Sequence, residues 1–225
     1  MCGRFTLTTE VTELQKALDL SKIPADIKPR YNIAPSQQVA VVNDSLERSV
    51  IWMRWGLIPF WAKNEKIGYK LINARAETIS IKPAFQKAFR SRRCLILADG
   101  FFEWQQIGVN QQKSIPYYIH LKDRETFAFA GIWDEWSNPA GGVVRSCSII
   151  TCEANQKLQF IHARMPVIFD RHVMWNWLIA HDDDELLEYL KPYPNENIIV
   201  YEVSKAVNAP SKDYPDLVKP MYSNL

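Results

Sequence analysis

Apolar residues recur along the chain in two spacings. Val11, Leu14 and Leu18 fall three or four apart, which predicts a helix from Thr9, as the capping residue, to about Leu20. Gln38–Val42 and Ser49–Met53 read as strands joined by the polar turn Asn43-Asp44-Ser45. A second helix is predicted from about Lys82 to Ser91, with Pro83 in its first turn. Strands follow at Cys94–Ala98, Phe101–Gln105 after a turn at Asp99-Gly100, Tyr117–Leu121, Phe127–Ile132 and Ser146–Thr151. Helices near Asp170–Ile179 and Asp183–Leu190 and a strand near Ile198–Val203 complete the series. No repeat and no linker composition interrupts it. The fold class expected is α+β: one domain over residues 1–225, a curved or barrel-like, mostly antiparallel sheet with flanking helices.

Composition narrows this little. Hydrophobic residues make up 47% of the 225, too many for a disordered chain. Eight glycines and thirteen prolines exclude collagen and flexible low-complexity architectures. The formal charge of +2 is uninformative until it is divided by position. From Arg54 to Arg93 ten Lys or Arg residues face two acids, Glu65 and Glu77; from His181 to Glu202 seven acids face one lysine, Lys191. A basic block of this kind is either a solvated face or the electrostatic footprint of nucleic-acid binding.

Four cysteines, Cys2, Cys94, Cys147 and Cys152, are too few for a disulfide scaffold in a chain this long. Without CxxC or clustered histidines there is no credible zinc site, and no metal or other cofactor is expected. No apolar stretch approaches the roughly 20 residues that span a bilayer, and the N-terminus has no apolar signal core. The chain is expected in the cytoplasm, in a reducing environment.

The chemistry begins at Cys2. Removal of Met1 would leave a terminus with a thiol and a free α-amine on adjacent carbons. An α-amine titrates near ~7.7–8.0 and is therefore partly nucleophilic at neutral pH. A thiol starts near ~8.5 and is lowered by nearby cations, for which Arg4 is the candidate. Amine and aldehyde give an imine, which the thiol can close to a five-membered thiazolidine. The competing reading is an incidental cysteine.

Three further segments bear on that choice. In Leu71–Glu77 the residues alternate, so as a strand Asn73, Arg75 and Glu77 share one face and Ala74 and Ala76 the other, as a site wall would. Glu103 lies among Phe101, Phe102 and Trp104, surroundings that raise a carboxyl pKa toward neutrality unless the side chain points to solvent. His162 and Arg164 set an imidazole and a guanidinium before Pro166.

Met1-Cys2-Gly3-Arg4-Phe5, Arg30-Tyr31-Asn32-Ile33-Ala34-Pro35, Trp55-Gly56-Leu57-Ile58-Pro59, Asn73–Glu77, Ala98–Trp104 and His162–Pro166 together resemble, in order, the motifs of the SOS-response-associated peptidase (SRAP) family, also called abasic-site processing proteins. Val203-Ser204 through Val207-Asn208 resembles the last motif, so the likeness covers nearly the whole chain. The chain is similar to the compact bacterial or phage type. The resemblance implies capture of the ring-opened aldehyde of an abasic site in single-stranded DNA, as a thiazolidine cross-link to the terminal cysteine. It implies Cys2 as nucleophile, Asn73 hydrogen-bonding around the adduct, and Glu103 and His162 moving protons. Arg4, Arg75 and Arg164 would hold phosphates, and Phe60 and Trp61 would wedge or stack at the abasic gap. Lys82, Lys87 and Arg90 read as a solvated face. The partner expected is abasic single-stranded DNA, with the protein monomeric and off the membrane. Possible accompanying activities are an abasic-site lyase, cross-link reversal and self-processing of Met1.

Two rival classes use the same cysteine. Met-Cys-Gly also opens N-terminal-nucleophile amidohydrolase domains, and a cysteine peptidase would pair Cys2 with His162. A plain nucleic-acid-binding module would leave Cys2 dispensable.

Overall fold

The computed structural model describes residues 2–43, 47–108, 113–139 and 141–221. Along the chain come β1 (Arg4–Leu7), α1 (Val11–Ala17), β2 (Arg30–Ile33), β3 (Gln38–Asn43), β4 (Val50–Trp55) and β5 (Asn73–Arg75). A short helix α2 (Gln86–Ser91) leads to β6 (Arg93–Ala98), β7 (Gly100–Ile107), β8 (Lys113–Leu121), β9 (Phe127–Ser137) and β10 (Val143–Glu153). The chain then forms β11 (Arg164–Pro166), β12 (Ile168–Phe169), α3 (Met174–Ile179), α4 (Asp183–Glu188) and β13 (Ile198–Glu202).

The strands build two layers. In the first, β10, β4, β3, β6 and β9 are neighbours in that order, and β9 pairs back onto β10 from Val143↔Ser137 to Ile149↔Gly131, which closes a five-stranded barrel. All contacts in the ring are antiparallel except β4–β10. Closure leaves the ring itself no free edge. β10 outruns the barrel, and its last residues take β5 on one side (Ile149↔Asn73, Thr151↔Arg75) and β11 on the other (Glu153↔Arg164). The second layer is an antiparallel sheet of five strands, ordered β13-β8-β7-β1-β2.

The apolar run Cys94–Ala98 is buried at every position, as expected of a strand covered on both faces. Phe5 of β1 meets Trp55 of the barrel edge-on at 5.1 Å and Phe129 at 5.6 Å, and Phe101 of β7 meets Phe129 at 6.0 Å. Burying each such side chain contributes about 1.5–3 kcal/mol, so these rings fix the sheet against the barrel.

The expected α+β class with a barrel-like, mostly antiparallel sheet is what the chain forms, and several local expectations are corrected. Asp99-Gly100 is not a hairpin turn: β6 lies in the barrel and β7 in the other sheet, so the chain changes layer there. Thr9 does not cap α1; Glu10 holds the cap position, and the Thr9 amide and hydroxyl donate to buried Asp99 at 2.9 and 3.0 Å. Asp99 also accepts from Thr6 and Thr8, so its charge is met by a ring of donors. Only Asn73–Arg75 is a strand; Glu77 sits in a 3-10 turn and does not continue that face. The helices are shorter than their patterns suggest, and β1 and β2, four residues each, carry no distinct pattern. Asp44 and Ser45 of the predicted turn lie outside the described residues.

Candidate functional site

Cys2 immediately precedes β1, which lies beside β7 in the register Arg4↔Phe102. The next residue of β7 is Glu103. Asn73 stands on the barrel's extension, where β5 borders β10, and its side-chain Nδ2 donates to the Cys2 carbonyl at 2.9 Å. This bond stitches the two layers together at the candidate nucleophile. Glu103, Ile119, Leu158, Ile161, His162 and Arg164 line a narrow crevice too tight to admit a water molecule. The structure thus brings Cys2, Asn73, Glu103, and His162 with Arg164, from four distant stretches of sequence to one junction. A roomier cavity, about 600 Å³, lies elsewhere between mixed charges including Lys122, Arg124, Asp170 and His172, and is lined by none of these residues.

The electrostatics set Cys2 apart from a conventional thiolate. It is fully buried, and burial, reinforced by the Glu103 charge, pushes its thiol well above the usual range. The expectation that Arg4 lowers this thiol is therefore overturned, because desolvation outweighs any nearby cation. Glu103 is 4% exposed, and burial raises its carboxyl to about 7, as its aromatic surroundings suggested. A carboxyl tuned there can both give and take a proton near neutrality.

His162 Nδ1 accepts the Arg164 backbone N–H at 2.9 Å, with the Arg164 carbonyl farther off at 3.2 Å. A ring nitrogen that accepts carries no proton, so with Nδ1 accepting this bond the neutral ring would hold its hydrogen on Nε2. Burial holds the His162 pKa below its ordinary value, in agreement.

The three arginines divide. Arg164 makes a two-point pair with Glu77 at 2.6 and 3.0 Å and also donates to the Thr151 carbonyl, while its Nε is buried with no hydrogen-bond partner among the described residues. Burial opposes ionisation of Glu77, but the bonds and charge of Arg164 outweigh it and hold that carboxyl below its ordinary value. The Arg4 guanidinium is engaged within the protein: it donates to Asn32 Oδ1 and the Val207 carbonyl, both at 2.7 Å, and to the Asn208 carbonyl at 3.2 Å. Arg75 is exposed and makes no ion pair among the described residues.

The basic block divides as well. Arg93 is buried and spends its donors on the Trp177, Phe89, Arg90, Leu178 and Ala180 carbonyls. Arg54 pairs with Glu65, Arg92 with Asp134, and Arg90 with Asp183 of the acidic block. Lys63, Lys66, Lys70, Lys82 and Lys87 remain exposed, and Lys87 and Arg90 share a shallow surface groove with Phe60 and Trp61, which are themselves 50% and 49% exposed. Lys87 Nζ stands 4.1 Å over the Phe60 ring, so Lys87 belongs to a cationic aromatic surface rather than a merely solvated helix face.

Sequence reasoning passed over Asn32 as a contact, Thr151 and Phe160. Asn32 is buried with all its side-chain groups engaged; the only signal was a polar residue inside the Tyr31–Ile33 run. Phe160 is half exposed and edge-on to Tyr117 at 5.6 Å, beside the crevice, with nothing in its local sequence to mark it. Among the described residues no group of three or more His, Cys, Asp or Glu could hold a metal, and no helix is long and apolar enough to cross a membrane.

The chain is similar to the abasic site processing protein YoqW of Bacillus subtilis (strain 168), 42% identical over 224 residues that cover 97% of this chain and 99% of the relative. It is 32% identical over 229 residues to the abasic site processing protein HMCES of Gallus gallus, covering 86% of this chain and 67% of that one. A crystal structure of a Bacteroides thetaiotaomicron protein superposes with a TM-score of 0.86 at 27% identity, covering 98% of this chain and all of that one. Residues 1–210 match the family described as SOS response associated peptidase (SRAP), and with the ordered motifs gathered at one junction the chain belongs to that family.

Proposed function

We propose that this protein binds single-stranded DNA and captures abasic sites covalently through Cys2. The observation that carries the reading is the Asn73–Cys2 bond, which holds the terminal residue against a buried carboxyl tuned near neutrality. The names of its relatives supply the substrate.

The chemistry requires that Met1 be removed, because until then the Cys2 nitrogen is an amide without a nucleophilic lone pair. The freed amine adds to the aldehyde carbon of the ring-opened sugar, and the carbinolamine loses one water to give an imine. The Cys2 sulfur then adds to the imine carbon, and its proton passes to nitrogen, closing the thiazolidine with no redox change. Glu103 serves both proton movements. It donates toward the departing hydroxyl and accepts from a thiol that burial otherwise keeps protonated. His162, with its hydrogen on Nε2, acts as a donor toward the sugar oxygen during ring opening. Asn73 anchors the Cys2 backbone, and its buried Oδ1, with no partner among the described residues, is available to a donor in the adduct. Arg75, Phe60 and Trp61 hold the flanking strand, with Arg164 reaching phosphate once released from Glu77. Lyase cleavage and cross-link reversal draw on the same imine.

The test is a denaturing gel and intact mass spectrometry of protein mixed with an abasic single-stranded oligonucleotide. A covalent band lost in Cys2→Ala supports the reading, and no band with wild type sinks it. Cys2→Ser isolates the sulfur: an amine alone gives only a reversible, borohydride-trappable imine. Peptidase or glutaminase chemistry draws no support from the site, since His162 Nδ1 is taken up by backbone and the thiol pKa is raised rather than lowered.

A further inference from the structure

The motif Val203–Asn208 has no place in this chemistry, yet the loop it opens accepts bonds from Asn32, Arg4 and Trp104. Buried Asn32 donates from Nδ2 to the Val207, Ala209 and Lys212 carbonyls at 3.2, 3.1 and 2.8 Å. Arg4, two residues beyond Cys2, donates to Val207 and Asn208. Trp104, the neighbour of Glu103, donates from Nε1 to Asn208 Oδ1 at 2.8 Å, and the Arg4 guanidinium lies 6.0 Å from the Trp104 ring. One loop therefore holds the strand that presents the nucleophile and the strand that presents the proton carrier.

We infer that residues 204–212 form a positioning strap in which Asn208 and Arg4 set Cys2 against Glu103, and that Arg4 is not a phosphate ligand. The inference rests on the covalent-capture reading. The strap contributes no reacting atom; its effect is on the geometry of β1 relative to β7. Small misplacements of reacting groups cost up to about a hundredfold in rate, whereas encounter with DNA depends on the exposed basic and aromatic surface and is left alone.

The experiment compares wild type with Asn208→Leu, Asn208→Asp and Arg4→Gln, measuring single-turnover cross-linking at saturating abasic oligonucleotide and affinity for the undamaged strand across salt. Asn208→Leu is expected to slow cross-linking about tenfold, a barrier change of about 1.4 kcal/mol, with affinity within twofold of wild type. Asn208→Asp keeps an acceptor for Trp104 and is expected to recover most of the rate, which a purely structural defect would not do. Arg4→Gln is expected to slow the reaction with an unchanged salt dependence. Unaltered rates in both Asn208→Leu and Arg4→Gln overturn the strap. So does a loss in Arg4→Gln confined to affinity, with a shallower salt slope, because that marks a phosphate contact. If wild type fails to cross-link, the functional reading falls by itself, and alkylation of Cys2 tests the strap without DNA. Faster iodoacetamide modification of Cys2 in Asn208→Leu supports it, and an unchanged rate overturns it.

Discussion

The Asn73 side-chain amide donates to the Cys2 carbonyl across the boundary between barrel extension and sheet, at 2.9 Å. Its other face, Oδ1, is buried without a partner among the described residues. Losing the bond costs about 0.5–1.5 kcal/mol, while removing an unsatisfied buried oxygen returns a similar amount. Asn73→Leu is therefore expected to leave stability within about 1 kcal/mol of wild type, yet to slow cross-linking at least tenfold, since the nucleophile loses its tether. Thermal unfolding and single-turnover gels on the same sample check both halves; a rate equal to wild type refutes the tether.

Glu103 gives a stability signature with a definite sign. Its folded carboxyl titrates near 7 because the buried charge is penalised. Its contribution is fully present below the unfolded pKa of about 4.3 and is lost as pH rises through 7. Glu103→Gln removes that loss. The variant should gain on wild type between pH 5 and 8 by up to about 3 kcal/mol, measured by urea denaturation at both pH values. A constant difference across that window would show that the carboxyl is not raised. The same variant should lose cross-linking at every pH.

Glu77 occupies Arg164 as a phosphate would, through two parallel bonds. Glu77→Gln should weaken that hold and free a cation for DNA. The expected result is tighter binding of undamaged single strands at low salt, with the slope of log affinity against log salt steeper by about 0.7, the value for one added phosphate contact. Stability should change by at most about 1 kcal/mol, since Glu77 is half exposed. Unchanged affinity and slope would leave the pair a structural clamp.

Phe60 and Trp61 are each about half exposed, with Lys87 over the Phe60 ring, so truncating them removes little from the core. The double alanine variant should keep its melting temperature and lose about 1–3 kcal/mol of single-strand affinity per stacked base. A drop in melting temperature with unchanged affinity would assign the rings to packing instead.

Where a run of residues carried its own physical signature, the fold was legible. The fully buried Cys94–Ala98 strand and the long apolar stretches of β9 and β10 announce themselves by composition. Barrel closure was not legible in detail, because β9 returning to β10 is a matter of register between strands, and local pattern is silent on it. The raised Glu103 carboxyl was readable from its aromatic neighbours, whereas the meeting of Asn73 with Cys2 depends on the packing of two layers and has no local signature. The roles of the arginines were not readable either. Whether a guanidinium faces solvent, Glu77 or a ring of carbonyls depends on chain segments up to 204 residues away. The same holds for Arg93, which contributes to the basic block by count and to the core by position.

The Arg4–Val207 bond joins residues 203 positions apart. On the ribosome, Arg4 is made long before the carbonyls that hold it, at a synthesis rate of about 5–20 residues per second. For roughly ten seconds or more the strand beside Cys2 waits without its partners, while β3, β4, β6 and β9 can already pair among themselves. The segment that carries Cys2 is thus made early and finished late, so the growing chain cannot fully fix the place of that residue until almost all of its length has been read.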